Sequence, residues 1–178
     1  RWHYTTPCSG NNPDCGYYLF EAVKDTVLLG KNSTILSYSI NGQLIENAQQ
    51  ILNYDSGKVY YFMNNSFQLL YDFNAQAGDT LILKMGPSYF TSGDTAGFYK
   101  VIVDSIRFIN ISGVNLKTFF HHSLYDLTFE GAAWRYFGPV IERIGDLGLL
   151  FGHSVNFPTI DHLGWIRCYE DSSIYYNP

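Results

Sequence analysis

Hydrophobic and polar positions along this chain alternate with a period of two, so its segments read as strands and not as helices. In KVYYFM, Val59, Tyr61 and Met63 alternate with Tyr60 and Phe62; FQLLYDF sets Phe67, Leu69, Tyr71 and Phe73 against Gln68, Leu70 and Asp72. Asn64-Asn65-Ser66 separates the two runs with residues that tolerate positive φ, and Tyr54-Asp55-Ser56-Gly57-Lys58 turns ILNY into KVYYFM. The next run, TLILKM, alternates Leu81, Leu83 and Met85 and is reached through residues 74–79. There Gly78 supplies backbone freedom and Asp79 a carboxylate for the amides of the connection, which predicts a turn and not an active-site loop.

The same pattern runs through most of the chain. FYKVIVDSIRFINI is a long β-branched run whose alternation slips near Ser105, the mark of a bulge. Ile111-Ser112-Gly113 returns it into VNLKTFFHH, where Val114, Leu116, Thr118 and Phe120 share a face. Residues 16–29 and 34–40 are earlier strands, with Gly30-Lys31-Asn32 and Asn41-Gly42 as turns. LIENAQQIL, residues 44–52, is the one stretch with helical spacing, through Leu44, Ala48 and Ile51, but it is short and lacks a strong cap. These elements predict an all-β fold: an antiparallel meander of about eight to ten strands in a partly closed barrel or a β-sandwich, with the local connections favouring the barrel. No repeat or linker divides the chain, so residues 1–178 read as a single domain.

Composition narrows the function classes. Aromatics make up 17% of the 178 residues and charged side chains only 15%, a balance found in many extracellular β-proteins. The net charge of −5, without a Lys/Arg run, argues against a nucleic-acid partner. The apolar runs are all too short for a membrane span. The chain opens on Arg1, which is read as the trace of a removed leader or of a cut from a longer product. CSGNNPDC would close a short loop through a Cys8–Cys15 disulfide. Cys168 reads as a buried thiol, or as the partner of one of the other two in a bridge that ties the chain ends together.

Candidate chemistry is sparse. Glu142 and Arg143 in IERIGDLGLLF fall on opposite faces of a strand and so read as cross-strand or turn contacts, not as an acid/base pair. His121 and His122 also face opposite ways, and a zinc site would have to gather His121, His153 and His162 from distant segments; none is expected. GHSVN lacks the second glycine of a nucleophile elbow, which leaves Ser154 as a loop hydroxyl. No phosphate-binding or calcium-loop motif is present, and no cofactor is expected. Aromatics near loops or termini could stack on sugar rings: Trp2, Trp134, Trp165, Tyr89, Phe90, Tyr175 and Tyr176, with Trp134, Tyr89 and Phe90 as the chosen binding residues and the long loop at 86–97 as a functional insertion. N-x-S/T triplets at Asn32, Asn64 and Asn110 lie at expected turns.

The succession DSGKVYYF (55–62), LLYDFNAQAGDTL (69–81), VDSI (103–106), IERIGDLGLLF (141–151) and IRCYED (166–171) resembles a family of secreted Bacteroidetes domains that usually precede a C-terminal sorting domain of the type IX secretion system. The resemblance runs in order over residues 16–171. Members often carry Ser-x-x-Gly after IE-x-IG, whereas Gly145 is followed here by Asp146-Leu147-Gly148; the 86–97 insertion and the YYNP tail also depart from the pattern. The resemblance implies export and a β-rich fold, with any sorting domain outside this chain, and it supplies no catalytic residues. The expectation is a secreted or cell-surface domain with a structural, adhesive or binding role and a glycan or cell-surface protein as partner. A carbohydrate-binding module using exposed aromatics is the first alternative, a barrel holding a small apolar ligand the second, and a hydrolase the least favoured.

Overall fold

The computed structural model describes residues 1–5, 16–46, 49–84, 98–123, 128–129, 132–133, 138–148 and 166–178. Its strands, in chain order, are β1 (Trp2–Thr5), β2 (Tyr17–Leu28), β3 (Lys31–Ile40), β4 (Gln43–Leu44), β5 (Gln50–Asp55), β6 (Lys58–Met63), β7 (Ser66–Asp72) and β8 (Thr80–Lys84). The second half adds β9 (Phe98–Ile111), β10 (Val114–Ser123), β11 (Thr128–Phe129), β12 (Ala132–Ala133), β13 (Val140–Ile141), β14 (Gly145–Asp146), β15 (Ile166–Glu170) and β16 (Tyr175–Tyr176). Nine of these have five residues or more, within the range the pattern predicts. The fold is all-β and antiparallel, as expected, and no helix among the described residues is long and apolar enough to cross a membrane. One sheet runs β16-β15-β1-β2-β3-β5-β6-β7 with β4 beside β3, a second runs β14-β13-β10-β9-β8, and β11 and β12 form a small pair.

Two-residue turns with positive φ make the reversals: Leu29-Gly30, Asn41-Gly42, Ser56-Gly57, Asn64-Asn65 and Ser112-Gly113. Positive φ at both positions matches the right-handed twist of the flanking strands, which is why Asn, Ser and Gly mark these points in the sequence. The first turn lies at Leu29-Gly30, earlier than the expected Gly30-Lys31-Asn32, because Lys31 is already paired with Leu28 in the ladder. The bulge near Ser105 is present: Phe120 pairs with Ser105 and His121 with Val103, which leaves Asp104 as the extra residue. A bulge at Leu70 was not expected; Tyr60 pairs with Leu69 and Val59 with Tyr71, so Leu70 and Tyr71 are both buried.

Two further expectations need correction. Residues 50–52 belong to β5 and pair with β3, so the 44–52 stretch does not form the helix its spacing allowed. Glu142, Arg143 and Ile144 form a turn between β13 and β14, since the positive φ of Arg143 and Gly145 reverses the chain at once. In β10 Val114, Leu116, Thr118 and Phe120 share a face as expected, and Phe119 on the opposite face is buried as well, so both faces of the strand are covered there.

The sheets share a large core, with a smaller cluster around Leu83 and Val101. Tyr4, Phe20, Leu36 and Tyr61 of the large core come from the first sheet, and Val103, Leu116, Phe119 and Ile141 from the second. Full burial of each such aliphatic or aromatic side chain contributes about 1.5–3 kcal/mol. The 73–79 connection carries the chain between sheets and docks by paired backbone bonds: the Gly78 amide donates to Val103 O (2.8 Å) and the Val103 amide to Asp79 O (2.9 Å). The chain ends meet through β1 and β15, with Trp2 opposite Tyr169 and His3 opposite Cys168. Cys168 is a free thiol and only partly buried, since Ile166 and Tyr169 of the same strand take the core positions.

Candidate functional site

One polar cluster lies between the sheets. β7 brings Tyr71, β9 brings Val101 and Val103, β10 brings Phe119 and His121, and β14 brings Asp146 to a cavity of about 30 Å³. That is room for a water or two, whereas pockets that enclose small ligands measure hundreds of Å³. Asp146 is 2% exposed. Its Oδ1 accepts the Gly148 amide at 2.6 Å, its own amide donates to Tyr71 Oη at 3.1 Å, and its carbonyl accepts Tyr4 Oη at 2.9 Å. Burial pushes the Tyr4 and Tyr71 phenols well above their ordinary range, so both stay neutral. Burial also lowers the His121 imidazole to about 4, against the opposing pull of Asp104. The arrangement clamps β14 onto β1 and β7. Its neutral phenols and imidazole beside a carboxylate are of the types used in proton transfer.

The other carboxylates singled out in the sequence serve backbone geometry. Asp79 Oδ2 accepts the Gln76 amide at 2.8 Å, the turn contact expected of it. Asp72 accepts the Asn74 amide (3.0 Å) and pairs with Lys58 Nζ (3.0 Å). Glu142 Oε2 accepts the Lys117 amide at 3.2 Å, and Arg143 Nη2 reaches Asp171 Oδ2 (2.7 Å) and Ser173 Oγ (2.9 Å). At Asp171 burial alone would raise the carboxyl, but the Tyr169 hydroxyl, the Ser173 and Ile174 amides and Arg143 outweigh it and hold it at about 2.

His121 and His122 do face opposite ways: His121 lines the cavity, while exposed His122 pairs with Asp104 at 2.6 Å. Among the described residues no three His, Cys, Asp or Glu side chains gather as for a metal ion. Trp2 is an architectural residue, its Nε1 donating to Ile144 O at 2.7 Å and its ring tilted against Tyr169. Tyr176 packs against the core and Tyr175 is exposed. Asn32, Asn64 and Asn110 are all exposed. Trp134, Tyr89 and Phe90, the 86–97 loop, Trp165, Ser154, His153, His162 and the Cys8–Cys15 pair lie outside the described residues.

A second constellation lies on the face of the first sheet that points away from the core. Val59, Tyr61 and Met63 of β6 turn inward, which puts Tyr60 and Phe62 on the opposite face. Phe62 meets Phe67 of β7 edge to face, with centroids 5.3 Å apart. Lys31 Nζ sits 5.2 Å from the centre of the Tyr60 ring and 5.9 Å from that of Phe67. Opposite Tyr60 in the ladder stands Asn53, 4% exposed, whose Nδ2 donates to Asn32 O at 2.7 Å and whose Oδ1 has no hydrogen-bond partner among the described residues. The sequence holds a signal for this face, since KVYYFM has no polar side to show to water. Asp146 gave less warning, because Asp-Leu-Gly after a glycine reads as an exposed turn.

Comparison with known proteins finds no matching family model, no matching curated protein and no matching solved structure.

Proposed function

We propose that this chain is a non-catalytic domain of an exported or cell-surface protein with an adhesive or binding role. The observation that carries the reading is the use made of its acids. Asp72, Asp79, Glu142, Asp146 and Asp171 each accept a backbone amide that fixes a turn or joins two strands. A carboxylate so committed holds the scaffold and is a poor acid or base, because proton transfer would forfeit the bond that positions it. Export is supported by the aromatic-rich, charge-poor composition and by the resemblance to domains carried through type IX secretion.

The test is binding of the fluorescently labelled chain to intact cells and isolated cell-wall fractions. Saturable binding that survives Asp79→Asn and Glu142→Gln is expected. Turnover of a chromogenic ester or glycoside that disappears on Asp146→Asn, with the fold intact by circular dichroism, would replace this reading with an enzymatic one.

A further inference from the structure

We infer that the core-distal face of the first sheet around Asn53 is a saccharide-binding platform, an assignment that rests on the reading of the chain as an extracellular binding domain. Three groups of different chemistry converge there. Tyr60 and Phe67 offer half-buried rings, Lys31 an ammonium, and Asn53 a buried amide oxygen with no partner among the described residues. An unpaired buried acceptor is unfavourable unless something donates to it.

Lys31 explains how the acceptor is covered and how it can be uncovered. It starts from β3, and its ammonium lies over rings carried by β6 and β7. β5, which holds Asn53, lies between β3 and β6 in the sheet. The Lys31 side chain therefore crosses β5 on the face that Asn53 shares. Its stem is flexible and its head strongly hydrated, so it can swing into water without any backbone change. A sugar matches what that movement exposes: the C–H face of a pyranose stacks on aromatic rings, and its peripheral hydroxyls donate. One hydroxyl reaches Asn53 Oδ1 once Lys31 has moved off the rings. An apolar ligand would fill the rings but leave Asn53 unpaired, and an anion would satisfy Lys31 while meeting the same amide oxygen as a repelling acceptor.

Affinity gel electrophoresis with xylan, laminarin, mannan and polygalacturonate tests the assignment on the full chain. At least one polysaccharide should retard the wild-type protein. Tyr60→Ala with Phe67→Ala should weaken that retardation about tenfold, and Asn53→Leu, which keeps side-chain size and deletes the acceptor, should weaken it as well. Lys31→Ala removes the cover and leaves the core untouched. It should strengthen binding of a neutral polysaccharide, and it remains informative if the aromatic variants fail to fold by circular dichroism. Retardation equal to wild type in Lys31→Ala and Asn53→Leu would place sugar binding elsewhere and overturn the platform. No retardation by any polysaccharide, while the labelled chain still binds cells, would overturn the saccharide assignment and leave the binding reading standing. Loss of both would overturn both.

Discussion

The imidazole of His121 offers the sharpest test of how the two sheets pack together. It lines the cavity beside Tyr71 and Asp146, and burial holds it at about 4, against an ordinary value of 6.5. A histidine lowered on folding binds fewer protons in the folded state than in the unfolded one between those two values, so stability must rise with pH across that window. The contribution is intact above pH 6.5, falls as the pH drops and levels off below 4. Linkage gives a loss of about 2 kcal/mol by pH 5 and about 3 kcal/mol by pH 4 relative to neutral pH. His121→Leu fills similar space with a group that cannot charge. Urea unfolding of both proteins at pH 7.5, 6.0, 5.0 and 4.2 isolates the effect: wild type should lose stability relative to the variant by those amounts, with an unchanged denaturant slope. Parallel stability curves for the two proteins would refute the desolvated imidazole.

Three other changes probe separate parts of the scaffold. Asp171, held at about 2 by its hydrogen bonds and Arg143, contributes stability that is present above pH 4 and lost as the pH falls toward 2. Solvent screening reduces the value to about 1 kcal/mol, so Asp171→Asn should lower stability by that amount at pH 7 and by almost nothing at pH 2, read by urea unfolding. Gly138 leaves no room for a side chain, since an added Cβ would lie 2.8 Å from Gly148 N and 2.9 Å from Asp146 Oδ1; Gly138→Ala should cost about 1–3 kcal/mol in chemical denaturation, and an unchanged midpoint would show that the β14 clamp is loose. Leu29 takes φ of 50° while 67% exposed, the one large apolar residue among the two-residue turns. Leu29→Asn should stabilise by about 0.5–1 kcal/mol, and a lower melting temperature would mean that Leu29 makes a contact its exposure does not suggest.

What could be read in the sequence follows from how local each cause is. Asn41-Gly42, Ser56-Gly57 and Ser112-Gly113 announce themselves because positive φ is a demand on the residues at the turn alone. The bulge at Asp104 was visible because polar and apolar positions change places around it, whereas the one at Leu70 was hidden by apolar neighbours that fit either register. Asp146 could not be read this way: its burial depends on Tyr4 and Tyr71, which meet it only when β1 and β7 close over β14. Asn53 is the same case, for ILNY is an ordinary strand until the second sheet settles which face is covered and Lys31 crosses the other. The scaffold is therefore written in short-range chemistry, and the residues with unusual environments are those whose surroundings are assembled from remote strands. A pattern that specifies strands and turns fixes where such environments can form. Which polar groups end up buried in them is decided by the register of sheets that the pattern does not encode, and the proposed saccharide platform is built on one such group, Asn53, and not on the acids beside the glycines.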